Sequence, residues 1–138
     1  MAKTIIAGFL AGFLAVLIFH QGTYWLMQLA GLVPAGAWNM APVPPFGVPR
    51  VVSAAFWGGV WGMLLAVLLA ARPRGALLFG TVFGALALTF VALTLVPMLR
   101  GAPMAAADLN RWWRGALLNG AWGWGVALML LRPLRLRA

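Results

Sequence analysis

The chain has no cysteine, a single histidine and a single acidic residue in 138 positions. The acid is Asp108 and the histidine is His20. Disulfides and cysteine-based metal sites are therefore excluded. A zinc site needs three or four N, S or O ligands at fixed spacing, and the chain cannot supply them. Paired-carboxylate chemistry is impossible with one acid. Proton- or sodium-coupled transport normally uses a carboxylate inside the membrane, and none falls within an apolar stretch. A nucleophilic triad would have to join His20, Asp108 and the only serine, Ser53, from different depths. The expectation is a protein that is not an enzyme, with no metal.

Charge is also scarce, at 8% of residues. An ordinary soluble domain carries about 25%, so these few charges could not cover a water-facing globule. Disorder is excluded because it requires low hydrophobicity, and 64% of the chain is apolar. An all-α integral membrane protein remains. A span needs ~20 apolar residues to cross the hydrocarbon, and four stretches qualify, at about 4–29, 51–71, 75–98 and 112–131. They are apolar on every side, unlike the alternating strands of a barrel. The expected architecture is a single domain, a four-transmembrane-helix bundle with a Pro-rich loop at 31–50. Lys3 followed by the apolar run Ile5–Phe19 resembles a signal peptide. The run continues through Tyr24, Trp25, Leu26 and Met27, and the small-residue site Ala35-Gly36-Ala37 lies far downstream. The segment reads as an uncleaved first span.

Six basic residues fall on one side of these spans: Lys3, Arg72, Arg74, Arg132, Arg135 and Arg137. Four fall on the other: Arg50, Arg100, Arg111 and Arg114. The positive-inside rule puts both termini in the cytoplasm of a bacterial inner membrane. The basic tail 132–137 would rest on anionic headgroups. A net charge of +9 could also suggest nucleic acid, but charges split over two membrane faces form no single patch. The expected partners are the lipid bilayer and other membrane proteins or further copies of the chain.

Small residues recur every four positions, the spacing that lets membrane helices approach closely. Gly8 and Gly12 do so in span one, Gly58 and Gly62 in span two, Gly80 and Gly84 in span three, and Gly115 and Gly123 in span four, with Asn119 between the last two. Such seams serve either one bundle or an oligomer. Residues 8–15 resemble 80–87, and the Trp-Gly cluster 57–62 resembles 122–125. The chain reads as two helical hairpins in parallel orientation. Asp108 precedes the fourth span where an N-cap or an ion pair with Arg111 is expected.

Polar and aromatic residues concentrate toward the outer side, where all eight tryptophans fall. His20, Tyr24 and Gln28 are spaced i, i+4, i+8 and share one helix face. Ser53, Trp57 and Trp61 form a similar stripe on span two. Polar side chains at membrane depth face a bundle interior or a wet cavity. The expected site is an outward-facing ligand-binding pocket lined by His20, Tyr24, Gln28, Ser53, Trp57, Trp61, Asn119 and Trp122 or Trp124. A packing role for His20 and an interfacial belt for the shallower tryptophans are the competing readings. The loop at 31–50 holds Pro34, Pro42, Pro44, Pro45 and Pro49 and no charge before Arg50. It would lie on the bilayer, close over the bundle or dock on a partner. Two functional readings follow. One is an accessory or assembly subunit of a membrane complex. The other is a binding or transport protein for a hydrophobic or aromatic molecule such as a lipid, quinone, porphyrin or other tetrapyrrole, or carotenoid. An oligomeric channel is a third.

Overall fold

The computed structural model describes residues 1–99, 101–104 and 108–138. Arg100, counted above among the outer basic residues, lies outside the described residues. Four helices dominate: α1 (Ala2–Leu29), α2 (Arg50–Ala71), α3 (Ala76–Leu99) and α4 (Leu109–Leu130). Three of them, α1 to α3, are long and apolar enough to cross a membrane. Helix α4 has the length of α2 but carries Asn110, Arg111, Arg114 and Asn119 as well as four glycines, which lower its mean hydropathy. A short hairpin, β1 (Pro42–Val43) and β2 (Val48–Pro49), stands in the α1–α2 loop.

Local chemistry sets the helix ends. At the end of α1, Gly31 takes the left-handed conformation (φ +71°). Its N–H donates to Gln28 O and the Leu32 N–H donates to Met27 O, at 3.0 and 2.9 Å, closing carbonyls that α1 leaves open. Gly101 (φ +63°) and the Ala102 N–H, which donates to Pro97 O, repeat this device after α3. Helix α2 stops before Pro73, which disfavours helical backbone at Arg72; Arg72 sits at φ −133°, ψ 80°. Asp108 caps α4, its side chain accepting from the N–H groups of Asn110 and Arg111, and it also pairs with Arg111 Nε at 3.3 Å.

The helices pack as two antiparallel hairpins. In the first, Gly8 lies against Gly62 and Ala66, and Gly12 against Gly58 and Gly62. In the second, Gly80 lies against Gly123 and Ala127, and Gly84 against Asn119 and Gly123. Gly80 and Gly84 thus occupy the places of Gly8 and Gly12. Asn119, Gly123 and Ala127 occupy those of Gly58, Gly62 and Ala66. This register brings Trp61 into correspondence with Trp122. Backbones touch along both seams because no side chain stands between them.

Helices α1 and α4 join the hairpins. The indole N–H of Trp122, a residue only 1% exposed, donates to Gly12 O at 3.0 Å. Leu65, Leu69, Val126 and Leu130 fill the core nearer the chain termini. There the tail folds back on the α2–α3 turn. The Arg137 N–H donates to Pro73 O (2.6 Å), the Ala76 N–H donates to Arg137 O (3.0 Å), and Leu136 is buried beneath. Both termini and the 72–75 turn therefore share one end of the bundle. The Pro-rich loop occupies the other, called here the loop end.

Candidate functional site

Helices α2 and α3 touch through Trp61 and Phe83, whose ring centroids lie 6.3 Å apart. From there toward the loop end a partly open cavity of about 650 Å³ separates them. Trp57, Gly58 and Trp61 of α2 form one wall, and Leu88, Val91, Ala92, Leu95, Val96 and Leu99 of α3 the other. Val16 and His20 of α1 and Asn119 and Trp122 of α4 close the back. The size lies within the range of ligand cavities, roughly 300–1,000 Å³, and so does the pattern of an apolar lining with few polar groups.

Helix geometry around this cavity is irregular. Three π-helical turns, Val16–His20, Gly84–Leu88 and Val91–Leu95, supply six of its lining residues, including both ends of the first turn. Turns of this kind occur frequently at functional sites. The π turn in α1 also frees a backbone acceptor. The Gln21 N–H is directed to Ile18 O and Val16 O, which leaves Leu17 O without its usual donor. The indole N–H of Trp38 takes that place at 2.9 Å.

A second cavity of about 380 Å³ lies under the loop and shares His20 and Ala54 with the first. Its wall is more polar, with Gln21, Tyr24, Asn39 and Arg50. The loop that roofs it is fixed by three side chains of α1. Gln21 Oε1 accepts from the Trp38 N–H (2.8 Å), Gln28 Oε1 from the Gly36 N–H (3.0 Å), and the Tyr24 hydroxyl donates to Pro34 O (3.2 Å). A loop without regular structure must find partners for its backbone N–H groups, and the glutamine amides provide them. Trp38 itself is left-handed, with φ +49°, a conformation costing a bulky residue roughly 1–3 kcal/mol. Its two hydrogen bonds to α1 hold it there. Gln21→Ala removes one of them and is expected to release the loop. Limited proteolysis should then cut within residues 31–49 several times faster than in the wild type. An unchanged rate would show that the loop holds its place without Gln21.

The expected site residues therefore divide. His20, Trp57, Trp61, Asn119 and Trp122 share the larger cavity. Tyr24 lines only the smaller one, and Gln28 is spent on the loop. Ser53 lines neither. Trp124 lies on another face of α4, edge-on to Phe19 at 5.6 Å. Of the seam glycines only Gly58 borders the cavity; Gly115 packs against Thr89. Asn119 Nδ2 donates to Thr89 Oγ1 at 3.0 Å, so its amide also ties α4 to α3.

Gln21 links the cavity to the loop. Its Oε1 is committed to the Trp38 N–H, so its Nε2 is the atom facing His20 Nδ1, at 3.4 Å. With Nδ1 accepting, the proton of the neutral ring sits on Nε2. That N–H has no protein acceptor among the described residues. Sequence reasoning missed Gln21, Trp38 and the whole α3 wall. Gln21 was detectable, since Gln21, Tyr24 and Gln28 follow i, i+3, i+7 spacing on one helix face. Compared with family models, with characterised proteins and with solved structures, the chain finds no match.

Proposed function

We propose that this is a non-enzymatic membrane protein that binds a hydrophobic or aromatic small molecule in the cavity between α2 and α3. The supporting observation is the 650 Å³ apolar cavity carrying three tryptophans and one histidine. Aromatic faces offer a guest large contact area in fixed geometry. His20 and Asn119 are the polar groups that would orient it. A lipid, quinone, carotenoid or tetrapyrrole suits such a lining. In this reading α4 also crosses the membrane, because it packs between α1 and α3 and, at 22 residues, measures roughly 33 Å. The termini and the 72–75 turn then face the cytoplasm of a bacterial inner membrane, on the distribution of basic residues.

The test is purification in mild detergent, followed by organic extraction, mass spectrometry and an absorption spectrum. A stoichiometric apolar molecule is expected with the wild type. Its occupancy should fall at least roughly tenfold in Trp61→Ala, which removes a large aromatic contact surface. A wild-type protein that yields no such molecule and shows no saturable uptake of added lipid or quinone would overturn the reading.

A second reading, an accessory or assembly subunit, draws on the loop tip. Phe46 is 86% exposed and Met40 66%, on a loop otherwise held down by hydrogen bonds. Exposed apolar side chains on an ordered support suit a protein or lipid surface. Stoichiometric membrane proteins in the same purification, lost in Phe46→Ser, would support it.

A further inference from the structure

We infer that the ligand is an anionic amphiphile, with its apolar part in the cavity between α2 and α3 and its carboxylate or phosphate head in the smaller cavity under the loop. This rests on the binding reading above and specifies the ligand class. The argument is an inventory of donors and acceptors. The smaller cavity adjoins the larger one along His20 and Ala54. Its uncommitted polar groups are mostly donors: the His20 Nε2–H, the Asn39 side-chain NH₂ and the Arg50 guanidinium stand against one hydroxyl oxygen, that of Tyr24, whose proton goes to Pro34 O. The nearby side-chain amide oxygens are already engaged. Asn39 Oδ1 takes the Ala41 N–H, and Gln21 Oε1 takes the Trp38 N–H.

Charge points the same way. The chain has one acidic side chain, Asp108, and Arg111 pairs with it at 3.3 Å. The chain thus offers Arg50 no carboxylate of its own. Among the described residues, Arg50 is the only charged group lining either cavity. Arginine donates in a planar fork that fits carboxylate and phosphate oxygens. An apolar chamber that adjoins a chamber rich in donors and lacking an acid matches a molecule with an apolar body and an anionic head.

The test uses the purified full chain in a neutral detergent with three probes: oleate, oleyl alcohol and acetate. Oleate and the alcohol share one chain and differ in the head; acetate carries the head alone. Binding is read by tryptophan fluorescence and by native mass spectrometry. Oleate should bind roughly ten- to a hundredfold tighter than oleyl alcohol, the ratio a charge-assisted hydrogen bond provides. Arg50→Gln should remove most of that ratio by weakening oleate far more than oleyl alcohol, and a wild-type melting temperature would show that the variant is folded. Arg74→Gln, at the opposite end of the bundle, should keep the ratio.

Equal binding of oleate and the alcohol to the wild type would overturn the anionic head and leave the apolar-ligand reading standing. Acetate displacing oleate at equal concentration would overturn the amphiphile in favour of a free-anion site. Binding of neither long-chain probe would overturn both readings.

Discussion

Replacing Gly62 with leucine should destabilise the protein by about 3 kcal/mol or more, the upper range for forcing extra atoms into a packed interior. Gly62 lies in the middle of the first seam. A side chain there would fall on the carbonyl oxygen of Gly8 and on the backbone of Gly12. Backbone atoms cannot turn aside as a flexible side chain can, so α1 and α2 must separate. Separation would also carry Trp61 and Gly58 away from the cavity. A lower melting temperature in detergent and a changed elution volume would report it. Gly22 supplies the contrast, because no atom lies within 4 Å of a Cβ placed there. Gly22→Ala should be neutral or slightly stabilising, since alanine favours helix over glycine by roughly 1 kcal/mol. A Gly62→Leu variant that melts like the wild type would remove the seam as the basis of hairpin packing.

Trp122→Ala carries the second large effect. Emptying a fully buried tryptophan site costs roughly 3–5 kcal/mol. Trp122 is 1% exposed, and its indole N–H is the hydrogen bond that reaches from α4 to the α1 carbonyl of Gly12. The ring also forms part of the back wall of the larger cavity. Its loss would merge the cavity with the space it leaves. Trp122→Phe separates the two contributions. It keeps most of the apolar volume and removes the donor, so it should lose only about 1 kcal/mol from the hydrogen bond plus a smaller packing loss. Thermal unfolding of the three proteins in the same detergent gives the ordering wild type, Trp122→Phe, Trp122→Ala. Equal losses in the two variants would mean that the hydrogen bond, and not the ring volume, joins the hairpins.

The glycine seams were legible before any coordinates because they depend on absence. A glycine every fourth residue leaves a groove wherever the helix turns, whatever the neighbours are. Gly8, Gly12, Gly58, Gly62, Gly80, Gly84 and Gly123 accordingly meet backbone to backbone. Helix α4, read from the sequence as a fourth span, is less apolar than the other three, because the residues that fit it for the interior also lower its hydropathy. The tryptophans and His20 stood out because they are costly or rare at depth, and Trp57, Trp61, Trp122, Asn119 and His20 do share a cavity.

The α3 wall left no trace in the sequence. Leucine, valine and alanine are the common residues of apolar helices, so Leu88 or Leu95 in a cavity looks like Leu86 on the exposed surface. The Tyr24–Gln28 stripe lies on one helix, as its spacing indicates, and its polar ends bond the loop. Helical spacing identifies a shared face but not what covers it. An extended loop that returns over α1 takes up polar side chains that would otherwise be available to a cavity.

The bond between Trp122 and Gly12 joins two units that each hold their own seam. The first hairpin contains both sides of its own seam. The second hairpin is equally self-sufficient. The larger cavity is not, because its back wall needs Asn119 and Trp122 from α4 beside Val16 and His20 from α1. The first hairpin alone therefore holds only part of the cavity wall, and the rest comes with the second hairpin.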